Sequence, residues 1–97
     1  MVVPNIYSIS DPDEVLRKFL RYKGRDEACI AFSSRKDKKY MVIHNGRTTH
    51  FGSTMPDFTR TGDEDRRERY LKRAKGIKGN WKDDKYSANN LAIHLLW

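Results

Sequence analysis

Cysteine is nearly absent from this 97-residue chain: Cys29 stands alone, so no intramolecular disulfide can form, which fits a reducing compartment. No stretch approaches the ~18 apolar residues of a membrane span, and the opening MVVPNIYSIS has no basic segment followed by a long apolar one. The expectation is a soluble, intracellular protein without a membrane partner. Also missing are internal repeats, low-complexity tracts, a Gly-rich phosphate loop, and any Ser-His-Asp or Cys-His grouping of recognisable spacing. Acidic residues are the minority, 13 against 20 Lys and Arg, giving a net charge of +7. Such a surplus favours a polyanionic partner, nucleic acid first and an acidic protein surface second. The basic residues are spread over both halves of the chain, so a binding face has to be made by folding.

The chain is 34% charged, yet five Tyr, four Phe and two Trp provide the large packing units that disordered segments lack. Its length allows one core and hence one domain, residues 1–97. NIYSI near the start reads as a short strand. In SDPDEVLRKFLRYKGR, Asp11 can cap a helix, Pro12 fits its first position, Glu14 completes a capping box and Gly24 is the stop, which predicts a helix over 12–23. Val15, Leu16, Phe19 and Leu20 form its apolar stripe.

Three β-rich runs follow, at about 28–33, 39–44 and 47–52, the last two joined by Asn45-Gly46. Asn-Gly accepts the positive φ angles of a type I′ turn and fixes the hairpin register. Tyr40, Val42, His44, Arg47, Thr49 and Phe51 then share one face, and Met41, Ile43, Thr48 and His50 the other. The SSRKDK turn leaves open which face Ile30 and Phe32 join. Cys29, among Ala28, Ile30 and Ala31, is expected to be buried and inert. A second capped helix is predicted over 62–75, with Thr61 and Glu64 as a capping box, Asp63, Glu64 and Asp65 at its positive end, and Lys72, Arg73 and Lys75 before Gly76 at its negative end. A third, over 88–96, follows Ser87 and buries Leu91, Ala92, Leu95 and Leu96. The expected fold is α+β, a three-stranded antiparallel meander covered on one face by three helices.

His44 and His50 point to opposite faces of the hairpin and cannot share an ion, so no metal or other cofactor is expected. Asp57 with Asp63, Glu64 and Asp65 could supply carboxylates to a metal-dependent nuclease, but no strand bearing an acidic-x-Lys triplet accompanies them. No catalytic residues are assigned and the protein is read as a non-enzyme. On the second helix, Arg66, Arg67, Arg69, Lys72, Arg73 and Lys75 surround Tyr70, Leu71 and Ala74, and Arg66, Arg69 and Arg73 share one row suited to tracking phosphates. Trp81, Lys82, Lys85 and Tyr86 interleave aromatic and basic side chains, a pattern suited to stacking on bases.

KKYMVIHNGRTTHFGS, DFTRTGDEDRRERYLKRA, NW and the closing HLLW together resemble a small family of basic proteins encoded by large double-stranded DNA viruses of algae and amoebae and by some phages. The resemblance covers about residues 38–97 and rests on the Tyr-x-Val strand, His50-Phe51-Gly52, Asp57, the Arg66, Arg67 and Tyr70 helix, and the final Leu-Trp. It implies a viral protein, packaged in the virion or acting in the host cytoplasm or nucleus, and no defined activity. This chain departs from the family where others have Arg-His in place of Arg73-Ala74 and continue past the closing Trp. The resulting expectation is a non-enzymatic accessory protein that binds nucleic acid with little sequence preference, with a virion or host-protein interaction module as the alternative and a nuclease as the weaker one.

Overall fold

A computed structural model describes residues 5–97. Nine short elements follow one another: α1 (Ile6–Ile9), α2 (Pro12–Lys23), β1 (Ala28–Phe32), β2 (Tyr40–His44), β3 (Arg47–Phe51), α3 (Phe58–Thr61), α4 (Glu64–Lys75), a 3-10 turn (Trp81–Asp83) and α5 (Ala88–Leu95). The sheet is an antiparallel meander in the order β1-β2-β3. Asn45 and Gly46, at φ 51° and 75°, make the tight turn, and the hairpin pairs Tyr40 with Phe51, Val42 with Thr49 and His44 with Arg47, as the Asn-Gly register requires. Ile30 lies opposite Val42 and Phe32 opposite Tyr40, so both join the inner face, and the Phe32 and Tyr40 rings stack at 6.0 Å.

The helices cover that inner face. Val15 and Phe19 from α2, Tyr40, Val42 and Phe51 from the hairpin, and Leu91, Leu95 and Leu96 from α5 and its C-cap form the core with Ile6, Tyr86 and Ala92. Pro12 and Asp11 start α2 as its sequence predicts, with the Asp11 carboxylate accepting from the Glu14 amide. Ser87 caps α5 in the same way through the Asn90 amide. Among the described residues no helix is long and apolar enough to cross a membrane.

Five expectations need correction. Residues 6–9 form a helical turn instead of a strand: Asn5 is left-handed, the Ser10 amide donates to the Ile6 carbonyl, and this turn buries Ile6 while leaving Tyr7 outside. Helix 62–75 begins at Glu64, because left-handed Gly62 (φ 64°) ends α3 and cannot open a helix; Asp63, not Thr61, caps it by accepting from the Arg66 amide. α5 stops at Leu95, β1 at Phe32 and β3 at Phe51, and β2 starts at Tyr40, each one residue inside the expected end. Leu16 and Leu20 are 46% and 52% exposed, since α2 turns Val15 and Phe19 into the core instead. Cys29 is exposed: it pairs with Ile43 on the outer face, which no helix covers.

Candidate functional site

Beneath the meander lies a polar network that sequence patterning does not reveal. Lys39 and Asp57 are buried, 1% and 0% exposed, with the Lys39 ammonium 3.1 Å from Asp57 Oδ2. No aligned hydrogen-bond donor reaches that oxygen among the described residues, and the Lys39 ammonium is the cation beside it. Asp57 Oδ1 caps α3, accepting from the Thr59 amide at 3.0 Å and from the Thr59 hydroxyl. The Tyr40 hydroxyl donates to Ser10 Oγ at 2.7 Å, and Ser10 Oγ lies 3.3 Å from Thr59 Oγ1. An ionised carboxylate only accepts, so the hydroxyl protons run in one direction, Tyr40 to Ser10 to Thr59 to Asp57. Burial lowers the pKa of the Lys39 ammonium against the opposing pull of Asp57, and burial raises that of the Tyr40 phenol. The network joins the N-terminal turn, the start of β2 and the entry to α3. Its Lys39, Asp57, Ser10 and Tyr40 side chains are buried and Thr59 is half-buried.

On the surface above it, α4, α5 and the exit of β3 enclose an open groove of about 920 Å³. Gly52 makes the close approach possible: at φ 84°, a Cβ there would sit 2.8 Å from Leu96 Cδ1. Arg66, Arg69, Tyr70 and Arg73 of α4 line it together with Lys38, Ser53 and Met55 from the chain around the hairpin, and with Trp81, Asn89, Ala92, Leu96 and Trp97 from the C-terminal part of the chain. No Asp or Glu lines it. The arginines do not wave freely. Tyr70 and Trp97 stack at 4.3 Å and 14°, the Arg66 guanidinium lies 5.8 Å from the Trp97 ring centre, and that of Arg73 lies 5.7 Å from the Tyr70 ring centre. Cation–π contact therefore holds two positive charges at the ends of one aromatic stack. Burial raises the Tyr70 phenol above its ordinary pKa, with Arg73 opposing, which keeps the ring neutral.

The groove's walls are fixed by contacts between elements. Arg67 donates through Nε to the Trp97 carbonyl at 2.7 Å, lies over the Phe58 ring, and reaches Glu64 at 3.9 Å, so it braces α4 instead of facing the groove. Asn89 Nδ2 donates to the Ala74 carbonyl at 3.1 Å. Buried Asn90 donates at 2.8 Å to the carbonyls of both Trp81 and Asp84, and Trp81 Nε1 donates to the Ile77 carbonyl at 2.6 Å. Asn90 and Ser87, whose hydroxyl donates to the Trp81 carbonyl at 3.0 Å, thus set Trp81 in place, and the sequence reading of the third helix, with Leu91, Ala92, Leu95 and Leu96 as its inner stripe, missed the role of Asn90.

Of the predicted binding residues, Arg66, Arg69, Arg73 and Trp81 meet at the groove. Lys72 and Lys75 are exposed elsewhere on α4, and Lys82 lies over the Trp81 ring at 5.5 Å. Lys85 and Tyr86 belong to another surface. Lys85 pairs with Asp26 at 2.8 Å, and Tyr86 is buried, with its hydroxyl donating to Asp26 at 2.7 Å and its ring stacked on His44 at 4.2 Å. Tyr86 is therefore unavailable for stacking on a base, because its ring belongs to the core. Arg47 completes this second cluster through two bonds to Asp84, at 2.8 and 3.1 Å. His50 faces away from His44 and meets Ser33 Oγ at 2.8 Å. Among the described residues no group of three or more His, Cys, Asp or Glu side chains is arranged to hold a metal ion.

No curated protein and no solved structure matches the chain. Residues 29–74, from the second residue of β1 to the penultimate residue of α4, are similar to a family described as a family of unknown function, DUF5754, a span that includes Lys39, Asp57 and the three arginines of the groove but not Trp81 or α5.

Proposed function

We propose that this protein is a non-enzymatic nucleic-acid-binding protein with little sequence preference, and that the groove beside α4 is its binding surface. The observation that carries this reading is the composition of one concavity: Arg66, Arg69, Arg73 and Lys38 beside Tyr70, Trp81 and Trp97, with no lining carboxylate. Positive side chains held on rings suit phosphates, and aromatic faces suit bases of any identity. The viral resemblance of the sequence suggests an accessory role during infection.

An acidic protein surface would also satisfy the charge, but it would leave the aromatic lining without a role. The test is a salt titration of oligonucleotide binding by wild type and by the triple variant Arg66→Gln, Arg69→Gln, Arg73→Gln, beside thermal melts of both. Each lost phosphate contact should flatten the slope of log K against log salt by about 0.7 for single strands or about 0.9 for duplex. The three changes together should therefore remove roughly two to three units of slope while the fold survives. Failure of wild type to bind oligonucleotides at low salt would overturn the reading, and equal affinity for polyglutamate would favour the protein partner.

A further inference from the structure

Resting on the nucleic-acid reading, we infer that the groove takes a single-stranded polynucleotide in preference to a duplex, with Trp81 as the platform for a base. A duplex is read by an element that projects into its ~12 Å major groove. Here the arginine row shares one open groove with aromatic side chains, and a base can stack on such a ring only when it is not paired inside a double helix. A single strand can enter, as strands do in basic channels with aromatic linings.

The dimensions agree. Arg66 and Arg73 are seven residues apart on one helix, about 10 Å at ~1.5 Å per residue. That span equals roughly three steps of a strand whose bases are stacked at ~3.4 Å. Tyr70 and Trp97 are occupied with each other and with their two guanidinium groups. Trp81 differs in that no other ring stacks on it among the described residues: the Lys82 ammonium lies 5.5 Å from its ring centre, and the bonds from its Nε1 to Ile77 and from Asn90 to its carbonyl hold it in the groove lining. A base stacking there would meet a surface already fixed in position, with little ordering cost.

The experiment compares dye-labelled oligothymidylate and oligouridylate of about 12 nucleotides with a duplex of the same length, by fluorescence anisotropy at one low salt concentration. Both single strands are expected to bind on the order of tenfold more tightly than the duplex, and their comparison distinguishes DNA from RNA as the source. Trp81→Leu should weaken single-strand binding by about fivefold to a hundredfold and leave duplex binding unchanged, whereas Trp81→Phe, which keeps a ring, should stay within about threefold of wild type. Quenching of wild-type tryptophan emission by saturating oligothymidylate provides a readout that needs no variant. Duplex binding as tight as single-strand binding would overturn the strand preference and leave the nucleic-acid reading standing. Absence of binding by every oligonucleotide would remove both. Wild-type affinity in a folded Trp81→Leu protein, or no quenching at saturation, would overturn the role of Trp81.

Discussion

Replacing Lys39 by Met isolates the energetic role of the buried pair. The methionine fills much of the same volume, but Asp57 Oδ2 would lose the ammonium paired with it, at a position with no exposure. Removing one member of such a pair costs about 3–5 kcal/mol, because the partner is left buried and uncompensated. A domain of this size has about 5–15 kcal/mol in total, so the variant should be marginal. At about 4–8 °C of melting temperature per kcal/mol, the loss is at least about 12 °C. Adding Asp57→Asn should recover part of it. The amide oxygen can still cap α3 through the Thr59 amide, while the charge that made the site unfavourable is gone. The remaining deficit is the burial of an unpaired amide N–H, about 1–3 kcal/mol. Urea titration of wild type, both single variants and the double variant gives the coupling energy from a double-mutant cycle. A Lys39→Met loss below about 1 kcal/mol, or strictly additive single effects, would refute this account of the network.

Gly52→Ala forces a positive φ on a residue with a Cβ and brings that atom within 2.8 Å of Leu96 Cδ1; we expect about 1–3 kcal/mol of destabilisation by urea titration. Exposed Cys29 should react with a thiol reagent in the native protein as readily as in the unfolded one, and a burst of labelling only after denaturant is added would contradict the exposed position. His94, stacked on Tyr22, has its pKa lowered by burial and secondarily by Lys75. The unfolded state therefore binds more protons as pH falls through the region just below 6.5, and stability should decline there. In His94→Gln that decline should disappear from the pH dependence of the melting temperature, while the losses below pH 3.8 due to Asp26 and Asp84, whose pKa values are lowered mainly by bonds from Lys85 and Arg47, should remain.

The parts legible in the sequence are those governed by neighbours in the chain. Asn45-Gly46 fixes a register because two positive φ angles permit little else, and Asp11-Pro12 and Ser87 mark helix starts through local hydrogen bonds. Errors arose where a distant partner decided. Cys29 belongs to an apolar run, yet strand alternation placed it on the face that no helix covers, and nothing within ACIAF identifies that face. The boundary of α4 is a local exception: Thr61 and Glu64 have the spacing of a capping box, but left-handed Gly62 ends α3 and Asp63 caps α4 between them. Tyr86 carries the same aromatic-basic signature as Trp81, and partners distant in the chain, the His44 ring and the Asp26 carboxylate 60 residues away, draw it into the core.

The same dependence on distant contacts governs the groove itself. α4 fully buries only Ala74, so the hydrophobic effect gives this helix little positional constraint. Its placement falls instead to polar and aromatic contacts near its ends. At the N-terminal side stands α3, capped by Asp57, whose second oxygen is held by Lys39. Along its length and at its end are Arg67 on the Trp97 carbonyl, Tyr70 on the Trp97 ring and Asn89 on the Ala74 carbonyl. Lys39 also donates its backbone amide to the Gly52 carbonyl at 2.9 Å, where the chain leaves β3 along the opposite side of the groove. One buried ion pair thus anchors both the approach to the arginine helix and the strand exit facing it. A charged pair that contributes little net stability over an apolar substitute can still persist for specificity. Here that specificity would be the separation of the two walls, and with it the alignment of Arg66, Arg69 and Arg73 along a single path.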